Sequence, residues 1–310
     1  MIKLDKLFKT AKKLYDHNIN PLSELLDITN HCLNKISSEA TLRYQSKLGD
    51  KKYYVFETEN GISRPFLKTL YIKSQKNFTK NWNNLVSKIN PEMHKIDLTS
   101  NEVNKVLYTS AMAFAICYDI WKNSSRKTPG TYFEILIGSI LGNILNDYKR
   151  TKYIPLPIHQ VIEEEKEESV STDIVFEKTD EKGESVSTDI VFEKTKDNGE
   201  IIGLVIPVKT TTRERIVQPF AHQRILDSFF GKGRFKSTLI CISEMQLDKK
   251  NNNVHEICVP GTIRLFQAHL AELTGIFYLD PPSRYLKEDL TKFVTIGSLG
   301  ELLTQSYFKD

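Results

Sequence analysis

The sequence predicts an α/β fold in which a central mixed β-sheet is flanked by helices, preceded by a mostly helical N-terminal region. Three features carry that prediction. Residues 1–100 are polar, rich in Lys, Asn and Tyr, with apolar residues at helical spacing. Beyond residue 100, short apolar runs alternate with helical patterns, as expected of strands joined by helical connections. Within that stretch, "VSTDIVFEKTKDNGEIIGLVIPVK" (186–209) carries a hairpin signal, which puts an antiparallel pair into the same sheet.

The elements follow in order. "LFKTAKKLYDH" and "PLSELLDITNHCLNKI" have the apolar spacing of the N-terminal helices. The denser segment "TSNEVNKVLYTSAMAFAICYDIW" reads as a first core helix. A short basic loop, "WKNSSRKTPG", leads to a second, "TYFEILIGSILGNILNDYKR", opened by Thr131, with Phe133, Ile137, Ile140, Leu141, Ile144 and Tyr148 on one face. Then comes a tandem repeat: "ESVSTDIVFEKTDEKG" (168–183) and "ESVSTDIVFEKTKDNG" (184–199) agree at 13 of 16 positions. Two copies are too few for a solenoid and read as a duplicated strand and turn inserted at the surface. "FKSTLICISEM" is a buried strand, "QLDKKNNN" a polar turn, and "VHEICVPGTIRLFQAHLAELTGIFYLD" a strand, a helix and a strand.

Composition limits the function classes. At 40% apolar and 26% charged residues over 310 positions, the chain matches an ordinary globular protein. No apolar run approaches the roughly 18 residues that span a bilayer, so the reading is cytoplasmic with no membrane partner. Cys32, Cys117, Cys241 and Cys258 form no Cys-x-x-Cys pair and read as reduced, mostly buried thiols. The net charge of +4 is uneven: Glu163 to Glu200 holds 14 acidic residues against five lysines, which leaves the remainder at +13. A basic body with one acidic insertion suits nucleic acid, although a lysine-rich solvated surface would look the same.

The chemistry concentrates around "GLVIPVKTTTRERIVQPFAHQRIL" (203–226), where a buried strand ends in Lys209. Its partner strand sets a test of register. A two-residue Asn198-Gly199 turn pairs Asp189 with Val208 and sends Asp189 and Lys209 to opposite faces. A three-residue loop, Asp197-Asn198-Gly199 with Gly199 as the left-handed bulge residue, pairs Asp189 with Pro207 and puts Asp189 and Lys209 on one face. Asp189 and Lys209, with Glu134 from the neighbouring helix, then make the constellation for metal-assisted phosphodiester hydrolysis: carboxylates to hold Mg²⁺ and a lysine to orient water or stabilise the transition state. The duplication leaves Asp173 as the alternative aspartate. Glu134 also stands three residues after Thr131, the spacing of a capping box. Arg213-Glu214-Arg215 alone is also the composition of a solvated turn.

On "SSRKTPGTYFE", "STDIVFE" and "VIPVKTTTRERIVQPFAHQ", the stretch from Asn123 to about Ile242 resembles the PD-(D/E)xK superfamily of type II restriction endonucleases. The resemblance is to the branch that reads CC/GG-containing sites with an Arg-Glu-Arg motif just after the catalytic lysine. It implies a restriction-endonuclease-like core over 101–310, with the duplicated strand and turn inserted at 168–199. Residues 1–100 would then serve DNA contact or dimerisation. It also implies a homodimer that cuts a short symmetric duplex site with Mg²⁺ or Mn²⁺, beside a cognate DNA methyltransferase. Arg213 and Arg215 are implied to read guanines and Glu214 cytosines, which fits the donor and acceptor edges of stacked G·C pairs.

The sequence departs from the family pattern in two places. The acid two residues before the lysine is Pro207. The glutamate that the branch places thirteen or fourteen residues beyond the lysine is replaced by His222 and Gln223; either the Gln223 carbonyl or the His222 imidazole completes the metal site as a neutral ligand, or Glu134 takes a larger role. Asn123, eleven residues before Glu134, sits where related enzymes place an amide that reaches the centre of the site.

Overall fold

The computed structural model describes residues 1–122, 127–157, 167–169, 177–178, 184–185, 187–248 and 250–309. Helices dominate residues 1–100 as expected: α1 (Ile2–Asp16), α2 (Leu22–Glu39) and α3 (Gln75–Ser87). Between α2 and α3 lies an antiparallel sheet that helical spacing does not announce. It is formed by β1 (Thr41–Leu48), β2 (Lys51–Thr58) and the two-residue strands Gly61–Ile62 and Phe66–Leu67. Its signals are local: Gly49 turns the chain with φ of 57°, and β2 sends Tyr53 and Val55, two apart, into the interior.

α4 (Ser100–Trp121) opens with a capping box. The Thr99 hydroxyl accepts from the Glu102 N–H, and the Glu102 carboxylate accepts from the Thr99 N–H at 3.0 Å. α5 (Thr128–Ile144) begins three residues before the expected start, with Pro129 in its first turn, where a missing N–H costs nothing. Thr131 is therefore inside the helix, and the capping-box reading of Glu134 is corrected. One apolar core runs from Leu4 to Phe308 and joins α1 to α5 to one face of the main sheet, so residues 1–100 share their core with the rest.

The main sheet contains β3 (Lys149–Tyr153), β4 (Ser187–Thr195), β5 (Ile201–Val205), β6 (Val208–Lys209), β7 (Phe235–Cys241), β10 (Gly275–Tyr278) and β11 (Thr295–Ser298). A separate hairpin, β8 (Met245–Asp248) and β9 (Asn253–Glu256), intervenes in the chain. Across the sheet the order is β11-β10-β7-β5-β4-β3, with β6 also against β7. β5, β6, β7, β10 and β11 pair in parallel, whereas β4 is antiparallel to both β5 and β3, so the sheet is mixed. α6 (Val217–Phe230) connects β6 to β7, and α7 (Pro260–His269) lies between β9 and β10. Alternation along β7 assigns the faces: Ile240 and Ile242 join the core of α4 and α5, while Leu239 and Cys241 join a second core with Ile216, Phe220 and Ile263 of the α6 and α7 side.

The β4–β5 hairpin takes the three-residue register. Val191 faces Val205 and Thr195 faces Ile201; Lys196 donates to the Glu200 carbonyl at 2.8 Å, and Gly199 takes φ of 81°. β4 is therefore built from the second copy of the repeat. Asp173, in the first copy, lies outside the described residues, as does Asn123.

The N-terminal sheet is tied to the end of β10 by Asp280. This buried carboxylate accepts from Lys51 Nζ at 2.6 Å and from the Tyr53 hydroxyl at 2.9 Å. Burial raises the Asp280 carboxyl above its ordinary range, against the pull of Lys51 and Tyr53. Among the described residues, no helix is long and apolar enough to cross a membrane. The cysteines are free, three of them buried.

Candidate active site

β6 delivers Lys209. Pro207 has no N–H to give to an antiparallel neighbour, and the β5 ladder stops at Val205; the chain then re-forms as β6 against β7 alone, with the Ile240 N–H donating to the Pro207 carbonyl at 2.9 Å. Lys209 registers with Cys241, whose parallel neighbour on β10 is Tyr278, so these three form one row across the sheet. Lys209 is 8% exposed, which makes a lysine that merely snorkels into solvent a poor description.

The hairpin register, carried two pairs beyond Val191–Val205, sets position 189 opposite Pro207, two residues before the lysine. Ile190 accepts from the Ile206 N–H at 2.9 Å in the same register. Against β3, the pairing of β4 shifts between Ser187 and Val191, so position 189 falls within an irregular stretch of that ladder. Glu134 is half-buried in α5, and α5 packs directly on β6. The fold thus brings the elements carrying Asp189, Lys209 and Glu134 to one end of the sheet.

The two residues at the departing positions behave differently. His222 is buried in α6. Gln223 is committed elsewhere. β10 joins β7 only from the Ser237 carbonyl onward, where Thr274 donates at 2.9 Å, so among the described residues no strand faces the Phe235 carbonyl or the Ser237 N–H. The Gln223 amide fills that place like a neighbouring peptide group, accepting from Ser237 N–H and donating to Phe235 O, both at 2.9 Å, with its second hydrogen on Asp227 at 2.8 Å.

Beyond Lys209 the chain stays attached to the β7 end as far as Thr210, whose carbonyl accepts from Ser243 at 3.3 Å. Arg213-Glu214-Arg215 then forms a single 3₁₀ turn (Arg213–Ile216) leading into α6. Arg213 and Arg215 are exposed, and Arg213 has φ of 48°. That left-handed geometry costs a non-glycine residue about 1–2 kcal/mol, so something must hold it. The holder is Glu244, which the sequence reading missed. This carboxylate accepts from the Thr212 N–H at 3.1 Å, from the Thr212 hydroxyl and from the Tyr278 hydroxyl at 3.2 Å. Burial raises its carboxyl, opposed by the hydrogen bonds from Thr212, Arg213 and Tyr278. No local pattern marks a Ser-Glu-Met after a strand, and only the long-range contact reveals it.

Thr210, Thr211 and Arg213 line one wall of an open cleft of about 500 Å³, with Ile242, Ser243, Met245, Gln246 and Leu247 beside them. Gly61 to Pro65, from the N-terminal sheet, form the facing wall with the end of α4. Arg64 fixes that wall, gripping Asp119 of α4 through Nε at 2.7 Å and Nη2 at 2.9 Å.

A lysine-ended parallel strand, an arginine turn directly after it and a cleft walled by a second sheet thus adjoin one another. Comparison with solved structures gives the family. The chain is 36% identical to one described as "Crystal structure of Type IIP restriction endonuclease Kpn2I", with a TM-score of 0.81 over 98% of this chain and 96% of that one. The chain belongs to the type II restriction endonucleases and is a sequence-specific DNA endonuclease, a site-specific deoxyribonuclease. A distant likeness, on which nothing further rests, is to "Restriction endonuclease PspGI-substrate DNA complex", at 12% identity and TM-score 0.39 over 74% of this chain and 89% of that one. No family model matches the chain, and no curated protein does.

Proposed function

We propose that the chain is a cytoplasmic homodimer that cuts both strands of a short, symmetric, G·C-containing duplex site with the help of a divalent metal. The observation that carries this reading is the continuity from Lys209 through three threonines to Arg213, with Arg213 at the cleft wall. Arg213 and Arg215 read guanines and Glu214 reads cytosines, while Lys209 orients the attacking water and offsets charge on the phosphate. A symmetric site presents the same edges twice, so a second copy serves the other strand. The wall at Gly61 to Pro65 gives residues 1–100 a part in holding the duplex.

Type II restriction endonucleases generally use divalent metals. Among the described residues, no three His, Cys, Asp or Glu gather as a ligand set, and the Gln223 amide is engaged with β7. The donors that suit a hard cation are the carboxylates of Glu134 and Asp189, with Asp173 the alternative; a His222 imidazole would favour Mn²⁺. That β4 comes from the second repeat copy favours Asp189. Bound there, Mg²⁺ would supply charge neutralisation and a more acidic water. The host would also carry a methyltransferase that protects the same site.

Incubation of the purified protein with plasmid, with Mg²⁺, with Mn²⁺ and with chelator, is the test. Discrete fragments that vanish on chelation are expected. A smear or simple nicking would refute site-specific restriction, and a mobility shift without cutting would make the chain a DNA binder.

A further inference from the structure

We infer that Glu244 is a positioning residue for sequence reading, fixing the Thr212–Arg213 turn so that Arg213 is aimed into the cleft. This rests on the reading that Arg213 contacts bases. Glu244 is 1% exposed and accepts hydrogen bonds from the Thr212 N–H, the Thr212 hydroxyl, the Arg213 backbone and the Tyr278 hydroxyl. These donors are neutral, and among the described residues no salt bridge repays the desolvation of the buried carboxylate, so its contribution lies in the geometry it imposes. That geometry is specific. Thr212 precedes Arg213, and Arg213 holds a backbone conformation that L-residues avoid unless constrained.

Glu244 also links reading to cutting. Tyr278, its partner on β10, stands in the same cross-sheet row as Cys241 and Lys209. The Cys241 thiol lies within the electrostatic reach of both Glu244 and Lys209. Glu244 Oε1 accepts both from the Tyr278 hydroxyl of that row and from the Thr212 hydroxyl beside the arginine turn, which keeps the two at a fixed separation. A glutamine in its place has the same shape but only one acceptor oxygen, and its amide hydrogens face the Thr212 N–H.

The experiment compares the parent, Glu244→Gln, Arg213→Ala and the double variant. Each is scored by kcat/KM on the cognate duplex and on duplexes with one substituted G·C pair. Glu244→Gln should lose about tenfold in discrimination, a part of what one bidentate base contact carries, with kcat on saturating cognate DNA within about threefold of the parent. In the Arg213→Ala background the same change should be silent, because it acts through Arg213. An equal, additive loss in that background would show a generally loosened fold and overturn the inference. If Arg213→Ala discriminates normally, the base-reading role falls and this inference with it. If Arg213→Ala fails to discriminate while Glu244→Gln does not, only the positioning role falls. Should Glu244→Gln not fold, Thr212→Val removes the hydroxyl donor alone; a smaller loss of discrimination in the same direction supports the inference, and none overturns it.

Discussion

Replacing Gln223 with alanine separates a structural amide from a metal ligand. In the structure, the amide satisfies the Ser237 N–H and the Phe235 carbonyl, which no strand among the described residues faces because β10 begins too late. Ser237 is 0% exposed, so its N–H would be left without a partner. Each such orphaned group costs about 1–3 kcal/mol; the open pocket beside Gln223 and Phe235 lets water recover part of it, so a net loss of about 2–4 kcal/mol is expected. At about 2 cal/mol/K of unfolding entropy per residue, this lowers Tm by roughly 3–6 °C. Thermal unfolding, with Mg²⁺ titration of cleavage alongside, is the assay. The Mg²⁺ concentration for half-maximal cleavage should be unchanged at temperatures where the variant is folded. Unchanged stability together with a raised metal requirement would refute the structural account.

Three further outcomes are expected. Lys209→Ala should lower the cleavage rate at least about 10²–10³-fold while specific binding in a gel shift persists, and retained cutting would remove the lysine from the mechanism. Arg213→Ala should lose about 1–3 kcal/mol of discrimination at the base pair it reads, measured on a panel of single-substitution duplexes; an unchanged preference would place the reader elsewhere. Asp280 has a raised folded-state pKa, so its contribution to stability is fully present below the unfolded value near 3.8 and is lost as pH rises through the folded one. Asp280→Asn does not titrate, so the stability difference between parent and variant should shift toward the variant as pH rises from about 4 to 7 in urea unfolding; a constant difference would contradict the raised pKa.

Much of the site region was legible because its determinants are local. The Asp197-Asn198-Gly199 loop sets the hairpin register through the backbone freedom of Gly199, and that register carries position 189 opposite Pro207. Pro207 interrupts the ladder for want of an N–H, which is also a property of the residue itself. α5 starts three residues before Thr131 because Pro129 is at home in a first helical turn, whereas the Thr131–Glu134 spacing imitates a capping box inside the helix. The sheet between α2 and α3 was missed because helical spacing on either side drew the reading past the Leu48-Gly49-Asp50 turn.

By itself, then, the amino-acid sequence determined the mixed α/β class, the core helices α4 and α5, and the pairing of β4 with β5. Side-chain periodicity and turn chemistry act over a few residues and can be read from them. Only the tertiary structure decided what Gln223 and Glu244 do, because each takes its role from partners that other segments supply. Gln223 is needed because β10 starts three residues too late to face the beginning of β7. Glu244 acquires its place because Thr212 and Tyr278, 32 and 34 residues away in the chain, converge on one buried carboxylate. Burial turns those polar contacts into obligations, and burial is a property of the packed sheet rather than of any short stretch of sequence.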